Sequence, residues 1–256
     1  MSIVYTFTTP LLQKEMTNMS TSRLECRLCL LLSIIIVIIL LLAPSLFHYG
    51  YAQIKQDISI LSSSSFKDNL GYFHVVGEVK NNSTTDSFNY VKIVSTFYDD
   101  TAKVIGTDFT YTNVDVLRPA EKSSFEIILN DAQQSEKVSN YKLSVSADKT
   151  QPLPASLKLN VGDSHMDDIG AYHIVGEVTN QGNEKATFVK VSGAFYNDSN
   201  TAVAAGFTFT DPKDLEPGQT APFEIIVDAP TANEITSASL NVNSNQYSSI
   251  IENKTA

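Results

Sequence analysis

Gly71-Tyr72-Phe73-His74-Val75-Val76-Gly77-Glu78-Val79-Lys80-Asn81 carries most of the architectural information in this chain, because it occurs twice. The second copy, Gly170-Ala171-Tyr172-His173-Ile174-Val175-Gly176-Glu177-Val178-Thr179-Asn180, lies 99 residues further on. The likeness extends downstream. Phe97-Tyr98-Asp99-Asp100 matches Phe195-Tyr196-Asn197-Asp198, Leu117-Arg118-Pro119 matches Leu215-Glu216-Pro217, and Phe125-Glu126-Ile127-Ile128 matches Phe223-Glu224-Ile225-Ile226. Pairing 68–81 with 167–180 and 90–129 with 188–227 gives 22 identities in 54 positions. A period of this length means tandem globular units, not a solenoid of short repeats.

Each copy reads as strands. Phe73, Val75, Gly77 and Val79 alternate with His74, Val76 and Glu78. Val91, Ile93, Ser95 and Phe97 alternate with Lys92, Val94 and Thr96. Ile105, Thr107, Phe109 and Tyr111 are expected to share a face, as are Phe125, Ile127 and Leu129. Period-two alternation of β-branched and aromatic residues is the signature of half-buried strands. The expected fold is all-β, with two tandem immunoglobulin-like β-sandwich domains after an N-terminal hydrophobic helix. The chain has no Trp, so the cysteine–tryptophan core of true immunoglobulin domains is absent.

That helix is expected from Leu28 to Phe47, an uncharged run long enough to cross a bilayer. Arg23 and Arg27 precede it, which keeps the N-terminus cytoplasmic and exports the rest. Two readings stand side by side: a signal peptide cut after Ala52, or an uncleaved anchor. Met16 and Met19 are further plausible starts. The expected division is a cytoplasmic tail over 1–27, the signal peptide or signal-anchor helix over 28–52, and sandwich repeats over 54–149 and 156–247. A proline-bearing linker over 150–155 joins the repeats and a tail covers 248–256. Pro152 and Pro154 suggest a stiff spacer with the domains end to end.

The chain has 256 residues and a net charge of -10. An acidic protein lacks the basic patch that displaces counterions from phosphates, so nucleic acid is excluded as a partner. Both cysteines, Cys26 and Cys29, precede the exported part, which therefore folds without disulfides.

The quoted residues resemble the FxLYD-type domain, a β-sandwich module of exported and membrane-tethered prokaryotic proteins, many of them archaeal. The resemblance rests on His74 to Asn81, Phe97-Tyr98-Asp99 and Leu117-Arg118-Pro119, and on their counterparts His173 to Asn180, Phe195-Tyr196-Asn197 and Leu215-Glu216-Pro217. Ser95 and Gly193 stand at the motif's first aromatic position, and Phe97 and Phe195 at its leucine. The resemblance implies an extracytoplasmic binding or structural module and carries over no catalytic residue.

Candidate chemistry is sparse. Asn81 reads as a turn cap at the end of a strand, and Gly77 and Gly176 as points of close backbone approach. Tyr90, Tyr98, Phe188 and Tyr196 point away from the expected cores, either to bind a protein or glycan or to pack against the other domain. Asp163, His165, Asp167 and Asp168 form the densest ligand-like cluster, although the first copy lacks most of it. His74 and Glu78, like His173 and Glu177, share a strand face but lie too far apart to chelate one ion unaided. Asn81, Asn82, Asn197 and Asn253 head N-x-S/T sequons. No P-loop, G-x-S-x-G or H-E-x-x-H motif occurs. The expectation is a non-enzymatic cell-envelope protein without cofactor, for binding or structural spacing, membrane-attached if the helix is uncleaved and secreted otherwise. Its alternative is an accessory subunit of an envelope complex, with a hydrolase a distant third.

Overall fold

A computed structural model describes residues 57–250. The expected membrane helix, both cysteines and Asn253 lie outside the described residues. Among the described residues no helix is long and apolar enough to cross a membrane.

The fold is all-β, as the alternation predicts. In the first half, β1 (Ile58–Lys67), β2 (Phe73–Asn81) and β6 (Lys122–Leu129) form one sheet in the order β1-β2-β6. A second sheet holds β4 (Val104–Tyr111), β3 (Ser87–Tyr98) and β5 (Val116–Leu117), with β7 (Asn140–Thr150) also paired to β3. A short helix α1 (Ala132–Lys137) links β6 to β7, and the Asp131 carboxylate caps its start by accepting from the Gln134 N–H. The two sheets enclose a buried cluster that includes Val75, Val79, Ile93, Phe97, Phe125 and Ile127.

The second half repeats the plan with β8 (Ala155–Met166), β9 (Tyr172–Asn180), β10 (Lys190–Tyr196), β11 (Ala202–Phe209), β12 (Thr220–Val227) and β13 (Ser237–Asn243). Its own cluster includes Ile174, Val178, Val191, Phe195, Phe223 and Ile225. Here β14 (Ser248–Ser249) bridges β13 to β8, so the strands join as one sheet, β11-β10-β13-β14-β8-β9-β12, folded around that cluster. The expected tail over 248–256 therefore begins too early. Ser248 and Ser249 are buried, and their backbone completes the sheet.

Two signals in the repeated stretch have the expected cause. A Cβ on Gly77 would lie 2.5 Å from the Ser62 carbonyl oxygen and 2.6 Å from the Phe125 ring, so only glycine lets that ring close over β2. Asn81 is fully buried and ties three segments together. Its amide donates to the carbonyls of Asp86 and Leu117, and its Oδ1 accepts from the Ser83 N–H. Asn180 repeats this with Glu184, Leu215 and Gly182.

The halves do not sit end to end. The outer face of β1-β2-β6 is covered by the outer face of β10-β11-β13. Tyr196 donates to Glu78 Oε2 at 2.5 Å. Ser64 donates to the Ala202 carbonyl and Ser62 accepts from the Ala202 N–H. Asn241 donates to the Lys122 carbonyl, and Lys190 lies 3.5 Å from Asp115. Val76, Glu78, Ala194 and Ala202 are all fully buried. The physical reason is apolar burial: a side chain such as Val76 removed from water contributes about 1.5–3 kcal/mol. The four residues Gln151–Pro154 between β7 and β8 leave the chain free to turn back.

Candidate functional site: a duplicated aromatic cluster

The most distinctive surface feature is a set of exposed aromatics present in both halves. Tyr90 is 67% exposed, Phe109 50% and Tyr111 49%. The Phe109 and Tyr111 rings lie 6.0 Å apart edge to face, and Tyr90 lies 6.4 Å from Tyr111. Lys92 places its ammonium 3.7 Å from the Phe109 ring centre. In the second half the set is Phe188, Phe207 and Phe209, each at least 42% exposed, with Lys213 4.7 Å over Phe188.

The strands position these rings by register. In the β3–β4 pair, Lys92 faces Tyr111, Val94 faces Phe109 and Thr96 faces Thr107. All six point away from the core, whereas Ile93, Ser95 and Phe97 point into it. The bulge opposite Phe97 and Tyr98 makes Ile105 an extra residue, packed against the core. Ile105 thus leaves the face it was expected to share with Thr107, Phe109 and Tyr111, and those three face outward.

Tyr90 and Phe188 both hold left-handed backbone, with φ of 47° and 54°. This is an outlier for a bulky side chain and costs about 1–3 kcal/mol. Its recurrence at equivalent positions, on residues that bury little, marks it as a feature of the surface rather than of packing. The Phe188 N–H is held by Asp214 Oδ1 at 3.1 Å.

The four aromatics expected to point away from the cores have separate environments. Tyr90 and Phe188 belong to the clusters. Tyr98 is half-buried with Lys142 5.5 Å over its ring, and Tyr196 is sealed between the halves. Burial and the Glu78 carboxylate beside it push the Tyr196 phenol far above its ordinary pKa, so it stays a hydrogen-bond donor. The cluster partners Phe109, Tyr111, Phe207 and Phe209 were missed as surface residues. The signal available was their alternation with Thr and Asp on edge strands.

A second duplicated constellation is a histidine between two carboxylates. His74 Nδ1 is 2.8 Å from Glu126 Oε1, and Nε2 is 3.3 Å from Asp68 Oδ2. His173 repeats this with Glu224 at 2.8 Å and Asp167 at 3.1 Å. Partial burial opposes the charge on His74, but Glu126 and Asp68 outweigh it and raise its pKa. Glu224, then Asp167, raise that of His173. Both ring nitrogens face acceptors, so the imidazolium that donates twice fits best. The neighbours that face His74 are these carboxylates, not Glu78.

The acidic cluster near residue 165 does not converge. Asp167 Oδ1 accepts from the N–H groups of Ile169 and Ala171, and its Oδ2 serves His173. His165 stacks on His173 at 5.0 Å, and Asp163 and Asp168 are exposed. Among the described residues no group of three or more His, Cys, Asp or Glu has a metal-holding arrangement. Of the sequons, Asn81 corrects the expectation of a surface acceptor, because its amide is buried and doubly bonded. Asn82 is half-buried and donates to Ser59 Oγ, and Asn197 caps a turn by accepting from the Ser199 and Thr201 N–H groups.

No family model matches the chain, and no curated protein does. Solved structures align over much of it at low similarity. Red sea bream transglutaminase is 10% identical over 77% of this chain and 32% of its own, with a TM-score of 0.26. The Amycolatopsis orientalis exo-chitosanase CsxA is 10% identical over 76% of this chain and 26% of its own, also with a TM-score of 0.26. This chain therefore spans about a third or less of the solved chains it aligns with.

Proposed function

We propose that this is a non-enzymatic, extracytoplasmic envelope protein that grips an envelope glycan through the twin aromatic clusters. The hydrophobic N-terminal run and the basic residues before it support export. The observation that carries the binding reading is the recurrence in each half of three exposed rings with a lysine over one of them, together with a strained backbone at the equivalent residues Tyr90 and Phe188. Exposed rings stack on the apolar C–H faces of sugars, which an acidic protein does not repel. Two linked grips raise avidity above either one alone.

The test is retention of the full chain on immobilised envelope polysaccharide from its host. Replacing Tyr90, Phe109 and Tyr111 by Ala should weaken binding more than tenfold, and adding Phe188→Ala, Phe207→Ala and Phe209→Ala should abolish it. Retention unaffected by all six substitutions, with the fold intact by circular dichroism, would refute the proposal.

A further inference from the structure

We infer that copies of this chain associate head to tail, using the same seam that joins its two halves. In the first half the outer face of β1-β2-β6 is occupied by Tyr196 and Ala202. In the second half the equivalent face, on β8-β9-β12, is open. It forms a shallow groove of about 650 Å³ lined by Val161, Asp163, Val175, Glu177, Pro222 and Glu224. Val175 and Glu177 are the counterparts of the fully buried Val76 and Glu78, and Asn160, opposite Glu177 as Ser62 is opposite Glu78, is that of Ser62.

The matching knob is also present and unused. The counterpart of the β10-β11-β13 face is the outer face of β3-β4-β7 in the first half. Tyr98 pairs with Val104 there as Tyr196 pairs with Ala202. Both Tyr98 and the 52%-exposed Val104 are left uncovered by the second half. The sheets stack in sequence, so the open groove and the open knob lie at opposite ends of one chain. One chain cannot satisfy itself, but a second copy can, and repeating the operation builds an open row.

The charges favour the same occupant. At the internal seam Glu78 is paired with Lys122 of its own sheet at 3.3 Å. The groove residue in Lys122's place is Thr220, so Glu177 lacks that cation. The knob compensates: Lys142, beside Tyr98, stands where the second half has Ser239. A docked copy therefore brings the missing ammonium to Glu177. Several contacts are not reproduced: Lys213 takes the place of Asp115 opposite Lys92, and Ser144 and Ser146 take the places of the amide donors Asn241 and Asn243. The association is accordingly weaker than the internal seam and depends on concentration. The internal seam leaves Phe207 and Phe209 exposed, so docking of this kind leaves the cluster rings exposed while setting the cluster lysines Lys92 and Lys213 against each other.

The experiment mixes isotopically labelled and unlabelled full chain, applies a zero-length carboxyl–amine cross-linker and sequences the joined peptides. Sedimentation over a concentration series accompanies it. The expected result is mixed-isotope linkage of Lys142 to Glu177, species that grow past the dimer, and their loss in Glu177→Arg. Adding Lys142→Glu to the Glu177→Arg chain reverses the charge pair and should recover them. A single monomeric species at all concentrations, a closed dimer, or assembly indifferent to Glu177→Arg would each overturn the inference. So would stoichiometric occupation of the groove by a different protein.

Discussion

The faces of β1-β2-β6 and β8-β9-β12 descend from one sequence pattern and have opposite fates. Glu78 and Val76 are fully buried; Glu177 is exposed and Val175 only half-buried. The strands, the Asn tie and the glycine beneath the Phe ring are the same in both. What differs is whether a tyrosine-bearing sheet lies on top. The interior of each half is therefore set by its own strands, whereas the environment of its outer face is set by its neighbour. The price is a buried carboxylate: Glu78 Oε1 has no hydrogen-bond partner among the described residues. Such a group is tolerated only while Tyr196 and Lys122 hold its other oxygen.

The sharpest way to break this comparison is to truncate the two equivalent tyrosines. Tyr196→Ala removes a buried ring and strands Glu78, and should cost about 3–5 kcal/mol in urea denaturation. Tyr98→Ala should cost less than about 1 kcal/mol, the range of a surface change. Equal losses would mean that the seam contributes nothing particular to stability. A smaller and symmetric effect is expected inside the halves. Gly77→Ala and Gly176→Ala should each cost about 1–3 kcal/mol, because the new methyl meets Phe125 or Phe223 and a backbone carbonyl. A large asymmetry between them would show that the two interiors are not equivalent.

The strands were legible because their side chains obey a local rule. Phe73, Val75 and Val79 had to share a face whatever lay elsewhere, and Asn81 could be read as a cap from its position alone. The outward residues obeyed no such rule. Whether Val76 or Val175 is covered depends on how two folded halves meet, which no spacing within β2 or β9 encodes. Ile105 was misplaced for a different reason. One bulge residue shifts it out of the face that Phe109 and Tyr111 occupy, and alternation is blind to a shift of one. The end-to-end expectation failed similarly, since Pro152 and Pro154 stiffen the linker without fixing the direction it takes.

The smallest effect tests what the two halves share across their differing faces, the carboxylate–histidine–carboxylate sets. His74 and His173 have folded-state pKa values raised above the unfolded reference of about 6.5. Their contribution is therefore fully present below that reference, where both folded and unfolded chains are protonated. It is lost as pH rises through the raised folded values, because the folded state alone must then release the proton. Asp68 and Asp167 are shifted down, so their contribution is present above about pH 3.9 and lost as pH falls through the lowered values. The urea midpoint should thus be highest between about pH 4 and 6.5 and decline on the alkaline side. His74→Gln or His173→Gln should each remove part of that alkaline decline, and the double variant should flatten it while sparing most of the acid limb. Because each imidazolium is held within its own half, the two single variants should act alike and additively, even though one half is covered and the other open. An alkaline limb that survives the double variant would place the titrating group elsewhere.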